Sequence, residues 1–420
     1  MDNLHEACRE GNIKEVKRIL SKLRDISYIN KKDDELWLTP LQHACIGGHL
    51  EIVKLLISYG ANVNGRGDFD TTPLHQACGE GHTGIAKYLI DHGADIDAKD
   101  ANNHTPLHYA LDKEHYRTVK LLTDCGADTS ILVNYGITKL HLACLAGSID
   151  EVRRLISQGA DLEVKDRHGD TPLHCASKTG NLAIVKLLVG HKAEINEKNN
   201  YGGTPLHVAC DKNQLGVVKF LISNGADIEA RNKLGETPLH LTCKKGHLDV
   251  ARYLILCGAD INARGEDGCT LLHITALFSK LNLVKFLVNL GLNVNERDNY
   301  GDTPLHHACK GWRGEESLIV ANYLVSCGAD VNAKNNDEKT PLHIACRRDL
   351  LNIIKFLIKI GADTNVKDKD GNTPLDHLGW AKRRELEEWI VKTKRAEARQ
   401  LLCASDDSTT EVPKMITRKL

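Results

Sequence analysis

The chain has 420 residues, a formal net charge of −1, 41% hydrophobic and 26% charged residues, and only 5% aromatic residues. This balanced charge gives no support for nucleic acid as a partner, because nucleic acid binding normally needs a concentrated basic face. Since there is no apolar run of 18 or more residues and no secretory signal at the start, we expect no membrane insertion and a cytoplasmic location, with the nucleus as the alternative.

A stretch close to Thr-Pro-Leu-His recurs at intervals of 33 residues. It begins at Thr72, Thr105, Thr138, Thr171, Thr204, Thr237, Thr270 and Thr303. The register extends outward to further copies, about twelve in all, which begin near residues 2, 39, 72, 105, 138, 171, 204, 237, 270, 303, 340 and 373. Such a period predicts a repeat protein in which each unit stacks on its neighbours.

Each copy predicts two helices and a turn, in that order. Thr before Pro is a favourable helix start, because the Thr hydroxyl accepts a backbone N–H of the first turn and Pro has no N–H to leave unpaired. In the copy at Thr72, Gly81 breaks the chain and the apolar spacing over 85–90 predicts a second helix with one buried face. Gly93 ends this helix, and the polar turn after it is called the finger below.

These motifs resemble the ankyrin repeat. The resemblance rests on Thr171-Pro172-Leu173-His174, Gly180-Asn181-Leu182, Ile184-Val185-Lys186-Leu187-Leu188 and Gly225-Ala226-Asp227-Ile228. It implies an all-α repeat solenoid, an ankyrin-repeat stack in which each 33-residue unit is a helix-turn-helix plus a β-hairpin finger. We expect the array to span residues 1–402, with an extended capping helix in the last copy, and residues 403–420 to form a disordered tail.

Fourteen cysteines invite a disulfide or metal interpretation. Eight of them share one repeat position: Cys8, Cys45, Cys78, Cys144, Cys210, Cys243, Cys309 and Cys346. Equivalent residues of stacked helices lie about 8–10 Å apart, too far for a disulfide, so we expect buried thiols. We expect the same of Cys125, Cys257 and Cys327, whereas Cys175, Cys269 and Cys403 fall outside both series. No Cys-x-x-Cys pair occurs, so we expect no metal and no cofactor.

Ten of the 21 histidines fill the fourth motif position, His5, His75, His108, His141, His174, His207, His240, His273, His306 and His343. The resemblance implies structural imidazoles that bond backbone near the helix start and in the adjacent finger. No nucleophile, base and orienting group stand together with motif-level spacing, so we expect neither an enzyme nor a small-molecule substrate.

Candidate partner-binding residues are sought where the copies differ. The position three residues before the motif Thr carries aromatic rings at several fingers, and one Trp lies beside it; these candidates are Phe69, Tyr135, His168, Tyr201, Tyr300 and Trp37. Trp312 and Arg313 are added, because they lie in an insertion that lengthens one spacing to 37 residues. Exposed aromatic and Arg side chains are favoured interface anchors. The alternatives are that the rings pack flat on neighbouring fingers and that the insertion is merely tolerated.

Two functional hypotheses remain from different classes. The first is a non-catalytic, monomeric scaffold or inhibitor that binds one or more proteins on a concave face of fingers and first helices. The second is a substrate of an asparaginyl hydroxylase at Asn262 and Asn332, which follow Asp-Ile or Asp-Val with a Leu eight residues earlier. A substrate-recruiting adaptor is a variant of the first, although no ligase-recruiting box is recognised.

The lost Pro after Thr138 and Thr270 predicts weaker stacking of these two copies, unless tertiary packing compensates.

Overall fold

A computed structural model describes residues 4–23, 26–311 and 314–406. The chain divides into two units, Met1–Lys233 and Leu234–Leu420, which hold copies 1–7 and copies 8–12.

The first unit consists of seven helix pairs, one for each copy. They are α1 Leu4–Arg9 and α2 Ile13–Lys22, α3 Pro40–Ile46 and α4 Leu50–Ser58, α5 Pro73–Gly79 and α6 Thr83–Asp91, α7 Pro106–Asp112 and α8 Tyr116–Asp124, α9 Lys139–Ala146 and α10 Ile149–Ser157, α11 Pro172–Thr179 and α12 Leu182–Gly190, and α13 Pro205–Asp211 and α14 Leu215–Ser223. The predicted helix-turn-helix unit is confirmed in every one of these copies.

The second unit continues the same pattern until its last copy. Its helices are α15 Pro238–Lys245 and α16 Leu248–Leu256, α17 Leu271–Leu277 and α18 Leu281–Asn289, α19 Pro304–Lys310 and α20 Glu315–Ser326, α21 Pro341–Arg347 and α22 Leu351–Lys359, and α23 Trp380–Asp406. In copy 12 a 3-10 turn, Pro374–His377, replaces the first helix. The capping helix α23 runs past the predicted array end at Leu402.

The helix starts depend on a reciprocal cap between Thr and His. In copy 5 the Thr138 hydroxyl accepts the backbone N–H of His141, while the ring Nδ1 of His141 accepts the backbone N–H of Thr138 at 3.2 Å. Thr270 and His273 make the same cap. Copies 5 and 9 lack the Pro, yet α9 and α17 begin at the same register. The cap is therefore sufficient to place the helix start.

The core runs through both helices of each copy. Leu74 and Leu89 are fully buried on α5 and α6, and Leu206 and Leu221 repeat this on α13 and α14. First helices pack on first helices, as α5 does on α7 and α11 on α13. Because one copy buries only one face of each helix, its neighbours supply the rest of the core.

Most fingers are tight turns in which one backbone hydrogen bond closes the loop. In the finger after α10, the N–H of Asp166 donates to the carbonyl of Asp170 at 3.0 Å, and the N–H of Arg167 donates to Tyr135 in the preceding finger at 2.9 Å. One closing bond is too few for a ladder, and the described residues contain no strand. The fingers thus have the hairpin bonding that was predicted without regular β-structure.

Copy 5 stacks differently from its neighbours in the first unit. On the side of copy 4, its first helix α9 packs against the second helix α8 rather than against the first helix α7, while on its other side it packs on the first helix α11. The connection before it, Ser130–Tyr135, is a 3-10 turn that buries Leu132. A space therefore opens beside α7, and it forms part of the site described next.

The two irregular spacings are absorbed locally. In copy 1 part of the extra length forms a 3-10 turn, Ile26–Asn30. In copy 10 the insertion extends the second helix at its start, so that α20 has 12 residues where α18 has nine. Over the described ranges no helix is both long enough and apolar enough to cross a membrane.

Candidate partner-binding surface

Most of the predicted anchor residues are open to solvent at the finger tips. The exposed fraction is 67% for Phe69, 63% for Trp37 and Tyr201, and 55% for Tyr300. His168 is exposed as well, whereas Tyr135 is partly buried and fits the packing alternative better. Trp312 and Arg313 lie outside the described residues. A binding role for all of these residues stays a prediction.

Two of the exposed rings sit on a backbone conformation that disfavours them. Trp37 has a φ of 52° at the position where Gly136 and Gly169 have φ values of 66° and 75°. Phe69 has a φ of 48°, and Asp70 after it is also left-handed. A left-handed bulky residue is strained, and such strain is typical of functional positions. Since the rings are not packed into a core, packing does not explain why they occupy these positions.

Four side chains from three consecutive fingers of the first unit form one group, called the finger cluster below: Tyr135, Arg167, His168 and Tyr201. The Arg167 guanidinium lies over the Tyr135 ring at 4.2 Å. Its Nε donates to Nε2 of His168 at 3.0 Å. The rings of His168 and Tyr201 stack with centroids 6.3 Å apart, and the Tyr201 hydroxyl lies 3.4 Å from Nδ1 of His168.

A recess of about 200 Å³ opens beside the finger cluster, where α9 has moved toward α8. Its walls include Tyr135, Arg167 and His168 of the cluster. Asp112 also lines it, and the Asp112 carboxylate lies 4.0 Å from the guanidinium of Arg167. The recess thus offers aromatic faces and charged groups of both signs at one place.

The inner wall of the recess is held by an ion pair network between distant copies. The Glu114 carboxylate bonds Lys178 at 2.9 Å and Lys212 at 2.6 Å, across 98 residues of sequence in the second case. Burial acts to raise the pKa of Glu114, but the bonds from Lys212 and Lys178 outweigh it and leave the pKa lowered. Glu114 therefore stays ionised at neutral pH, and it ties copy 4 to copies 6 and 7.

Sequence reasoning found three members of the finger cluster and missed the rest of this site. Arg167 comes directly before the tip position, where several copies carry an aromatic ring. This neighbouring position was the sequence signal that could have identified Arg167. No sequence signal pointed to Glu114, Lys178 and Lys212, because their proximity follows from the displacement of α9 toward α8.

The fingers of the second unit carry several acidic groups, but these are partly paired. The Tyr300 hydroxyl donates to the Asp267 carboxylate at 3.2 Å. Lys339 lies 3.6 Å from Asp337 and 3.7 Å from Asp370. The net charge offered to a partner is therefore smaller than the count of carboxylates indicates.

The motif histidines are structural, as predicted. His174 Nδ1 accepts the N–H of Thr171, and His174 Nε2 donates to the carbonyl of Gly203 in the next finger at 3.1 Å. Burial lowers the pKa of this imidazole. His273 and His306 make equivalent bonds, and burial lowers the pKa of each to about 4. These rings are neutral at pH 7 and join each helix start to the adjacent finger.

The eight cysteines of the first series are all buried, as predicted. The prediction for the second series is wrong, because Cys257 is exposed and Cys125 and Cys327 are only partly buried. These three residues end second helices at the C-cap, where the last turn faces solvent. Of the unassigned residues, Cys175 is buried and Cys269 is partly buried.

The two candidate asparagines are exposed but differ in their bonds. The side chain of Asn332 donates to the carbonyl of Gly361 at 3.3 Å and accepts the N–H of Asp363 at 2.9 Å. The amide of Asn262 makes no such bridge within the described part of the chain. Modification of either residue stays a prediction.

Family profiles agree with the repeat pattern of this chain. A family profile described as ankyrin repeats (3 copies) matches residues 4–100, 66–132, 107–199, 140–232, 192–265 and 239–335, and one described as ankyrin repeats (many copies) matches residues 324–378. No similar sequence was found among curated proteins. Among solved structures, the human ASB11 ankyrin repeat domain is 25% identical with a TM-score of 0.47, over 53% of this chain and 97% of that chain.

Proposed function

This chain belongs to the ankyrin repeat family, whose repeats are generally protein–protein interaction modules, and we propose that it is a scaffold or inhibitor that binds a partner protein through its finger tips. The proposal rests on the exposed rings at the finger tips, which lie on strained or hydrogen-bonded turns. Phe69 and Tyr201 are the clearest examples. Ankyrin repeat proteins are generally non-catalytic, in line with this function.

The finger cluster and its recess are the proposed centre of the interface. Tyr and Arg are the residue types that most often dominate binding energy, and they do so beside pockets that exclude water. Arg167 is already ordered by Tyr135 and His168, so little side-chain entropy is lost on binding. Because Asp112 is only loosely paired with Arg167, it is available to a basic group of the partner.

The test compares variants that differ in where an exposed ring is removed. Partners are captured from cell lysate with the wild type, with a Phe69→Ala, Tyr201→Ala double variant, and with Tyr59→Ala. Tyr59 is the matched control, since it is 45% exposed at the C-cap of the second helix α4 and is not at a finger tip. We expect partners that are lost from the double variant and kept by the control. Equal capture by all three, with unchanged thermal unfolding, would refute the proposal.

We propose hydroxylation by an asparaginyl hydroxylase as a second candidate function, and restrict it to Asn262. Its amide is free to enter an active site, whereas Asn332 would first have to break two bonds to the next finger. Intact-mass analysis after co-expression with such an enzyme is expected to show one added oxygen in the wild type and none in Asn262→Ala. An unchanged mass in the wild type would rule the modification out.

A further inference from the structure

Three metal-binding side chains meet in the second unit, although they come from two fingers and a helix. Nε2 of His307 lies 2.8 Å from Oδ2 of Asp298, and Sγ of Cys269 lies 3.8 Å from the same oxygen. All three ligand atoms lie within 4.8 Å of one another. The side chains of His307 and Asp298 are buried, with 7% and 1% exposed, while Cys269 is reached from solvent.

The repeat itself shows which part of this group is structural. Copy 12 has the same pair at equivalent positions, His377 and Asp368 at 3.2 Å, and there Lys339 takes the place of Cys269. The His and Asp pair therefore orders a finger in more than one copy. In copy 10 the thiol of Cys269 is added to this pair. Among the described residues, this is where three metal-binding groups converge.

The chemistry of the three groups matches Zn²⁺. A thiolate, an imidazole and a carboxylate are its usual ligands, with ligand atoms about 3.3–3.5 Å apart in a tetrahedron. The separation of sulfur and oxygen is already close to this value. The His307 ring would have to withdraw by about 0.5 Å from Asp298 to reach it. We propose that Cys269, Asp298 and His307 bind one Zn²⁺ ion, with solvent as the fourth ligand.

The surrounding charges favour a cation and set its pH dependence. Burial, and then the carboxylates of Asp298 and Asp267, raise the pKa of the Cys269 thiol to about 12. Lys310 is the cation on the other side, and it is paired with Asp302 at 2.5 Å. The ion must displace the thiol proton, so binding strengthens as pH rises.

One feature of His307 limits the affinity. Its Nδ1 is buried and has no hydrogen-bond partner in the described residues. A metal-bound imidazole normally donates from its second nitrogen, and loss of that bond costs about 10- to 100-fold in affinity. We therefore expect a weaker site than a structural zinc finger, one that a chelator empties without unfolding the chain.

The experiment uses Co²⁺ as a probe on the reduced full chain, because a thiolate bound to Co²⁺ gives a charge-transfer absorption band. We expect the band at one ion per chain, its loss when Zn²⁺ is added, and its absence in Cys269→Ser. The control is Cys257→Ser, which removes an exposed thiol of the same unit and should keep the band. His307→Gln should weaken Co²⁺ binding at least about tenfold, while His377→Gln, at the same repeat position in copy 12, should not.

Two outcomes would overturn the proposal. One is no band in the wild type, and the other is a band that survives in Cys269→Ser. Thermal unfolding without metal shows whether each variant is folded. A folded Cys269→Ser that also loses the Zn²⁺-dependent rise in unfolding temperature supports the site, whereas an equal rise in both proteins contradicts it.

Discussion

At the residue scale, the finger tip of copy 2 departs from the pattern of most other fingers. Most copies place Gly at the left-handed position of the finger, and Gly202 and Gly301 both have a φ of 75° there. Trp37 occupies that position in copy 2 and remains 63% exposed. A bulky residue that is strained and also unpacked lowers stability, so its presence favours a role outside the fold.

Replacing Trp37 tests whether its backbone conformation is strained. Trp37→Gly is expected to raise the free energy of unfolding by about 1 kcal/mol, because Gly relieves the strain and loses only little packing. Urea unfolding measures the change. A lower stability in the variant would mean that the ring packs favourably and that the backbone is not strained.

Single residues also show which features of the structure could be predicted from the sequence. The first cysteine series was predicted correctly because eight copies repeat one buried position. Cys257 was predicted wrongly, since it ends its helix beside Leu256, which is itself exposed. The group of Cys269, Asp298 and His307 was missed because each residue belongs to a different repeat position. Comparing equivalent positions of the copies therefore does not show that the three side chains lie close together.

At the scale of elements, motif imidazoles join several first helices to the next finger, and we expect them to make the stack sensitive to acid. His273 and His306 have pKa values of about 4 because of burial, and burial also lowers the pKa of His141. The unfolded chain has imidazole pKa values near 6.5, so it binds more protons than the folded chain at acidic pH. The stabilisation is complete above about pH 6.5 and is lost as pH falls toward 4.

This gives a pH prediction with a control taken from the chain itself. Each imidazole with a folded pKa of about 4 should cost about 2 kcal/mol of stability between pH 7 and pH 5. In copy 2 Gln42 replaces the motif His and makes the same bonds, to Thr39 and to the carbonyl of Thr71. His306→Gln is therefore expected to keep stability at pH 7 and to lose less at pH 5. An identical pH profile for both proteins, measured by urea unfolding, would contradict this.

The junction of copies 4 and 5 is the element that sequence reasoning described least well. The lost Pro at Lys139 suggested weaker stacking, but the cap of Thr138 still fixes the helix start. The displacement of α9 toward α8, and the recess that it opens, depend on packing between copies, which a repeat pattern does not contain. Helix existence and register were predictable because they are local and periodic.

Hydrogen exchange tests this junction directly. Because α7 and α9 make little contact with each other, each packs on one first helix of a neighbouring copy, whereas α5 and α11 each pack on two. We expect the amides of α7 and α9 to exchange faster than those of α5 and α11. Equal protection in all four helices would mean that the displaced packing is as stable as the regular one.

At the scale of the whole molecule, the family shows the fold and the class of function, and the variable fingers carry the proposed choice of partner. The regular positions are occupied by caps, buried leucines and buried thiols, whereas several finger tips are exposed and vary between copies. The central claim is that Tyr201 and its neighbours in the finger cluster bind a protein.

The most direct measurement is the affinity of a purified partner for three versions of the full chain, by titration calorimetry. Tyr201→Ala is expected to weaken binding by about 30-fold or more, as loss of an interface anchor does. Tyr59→Ala should change it by less than about threefold, since that exposed ring ends a second helix and is not at a finger tip. Unchanged affinity in Tyr201→Ala, with the fold intact, would contradict the account.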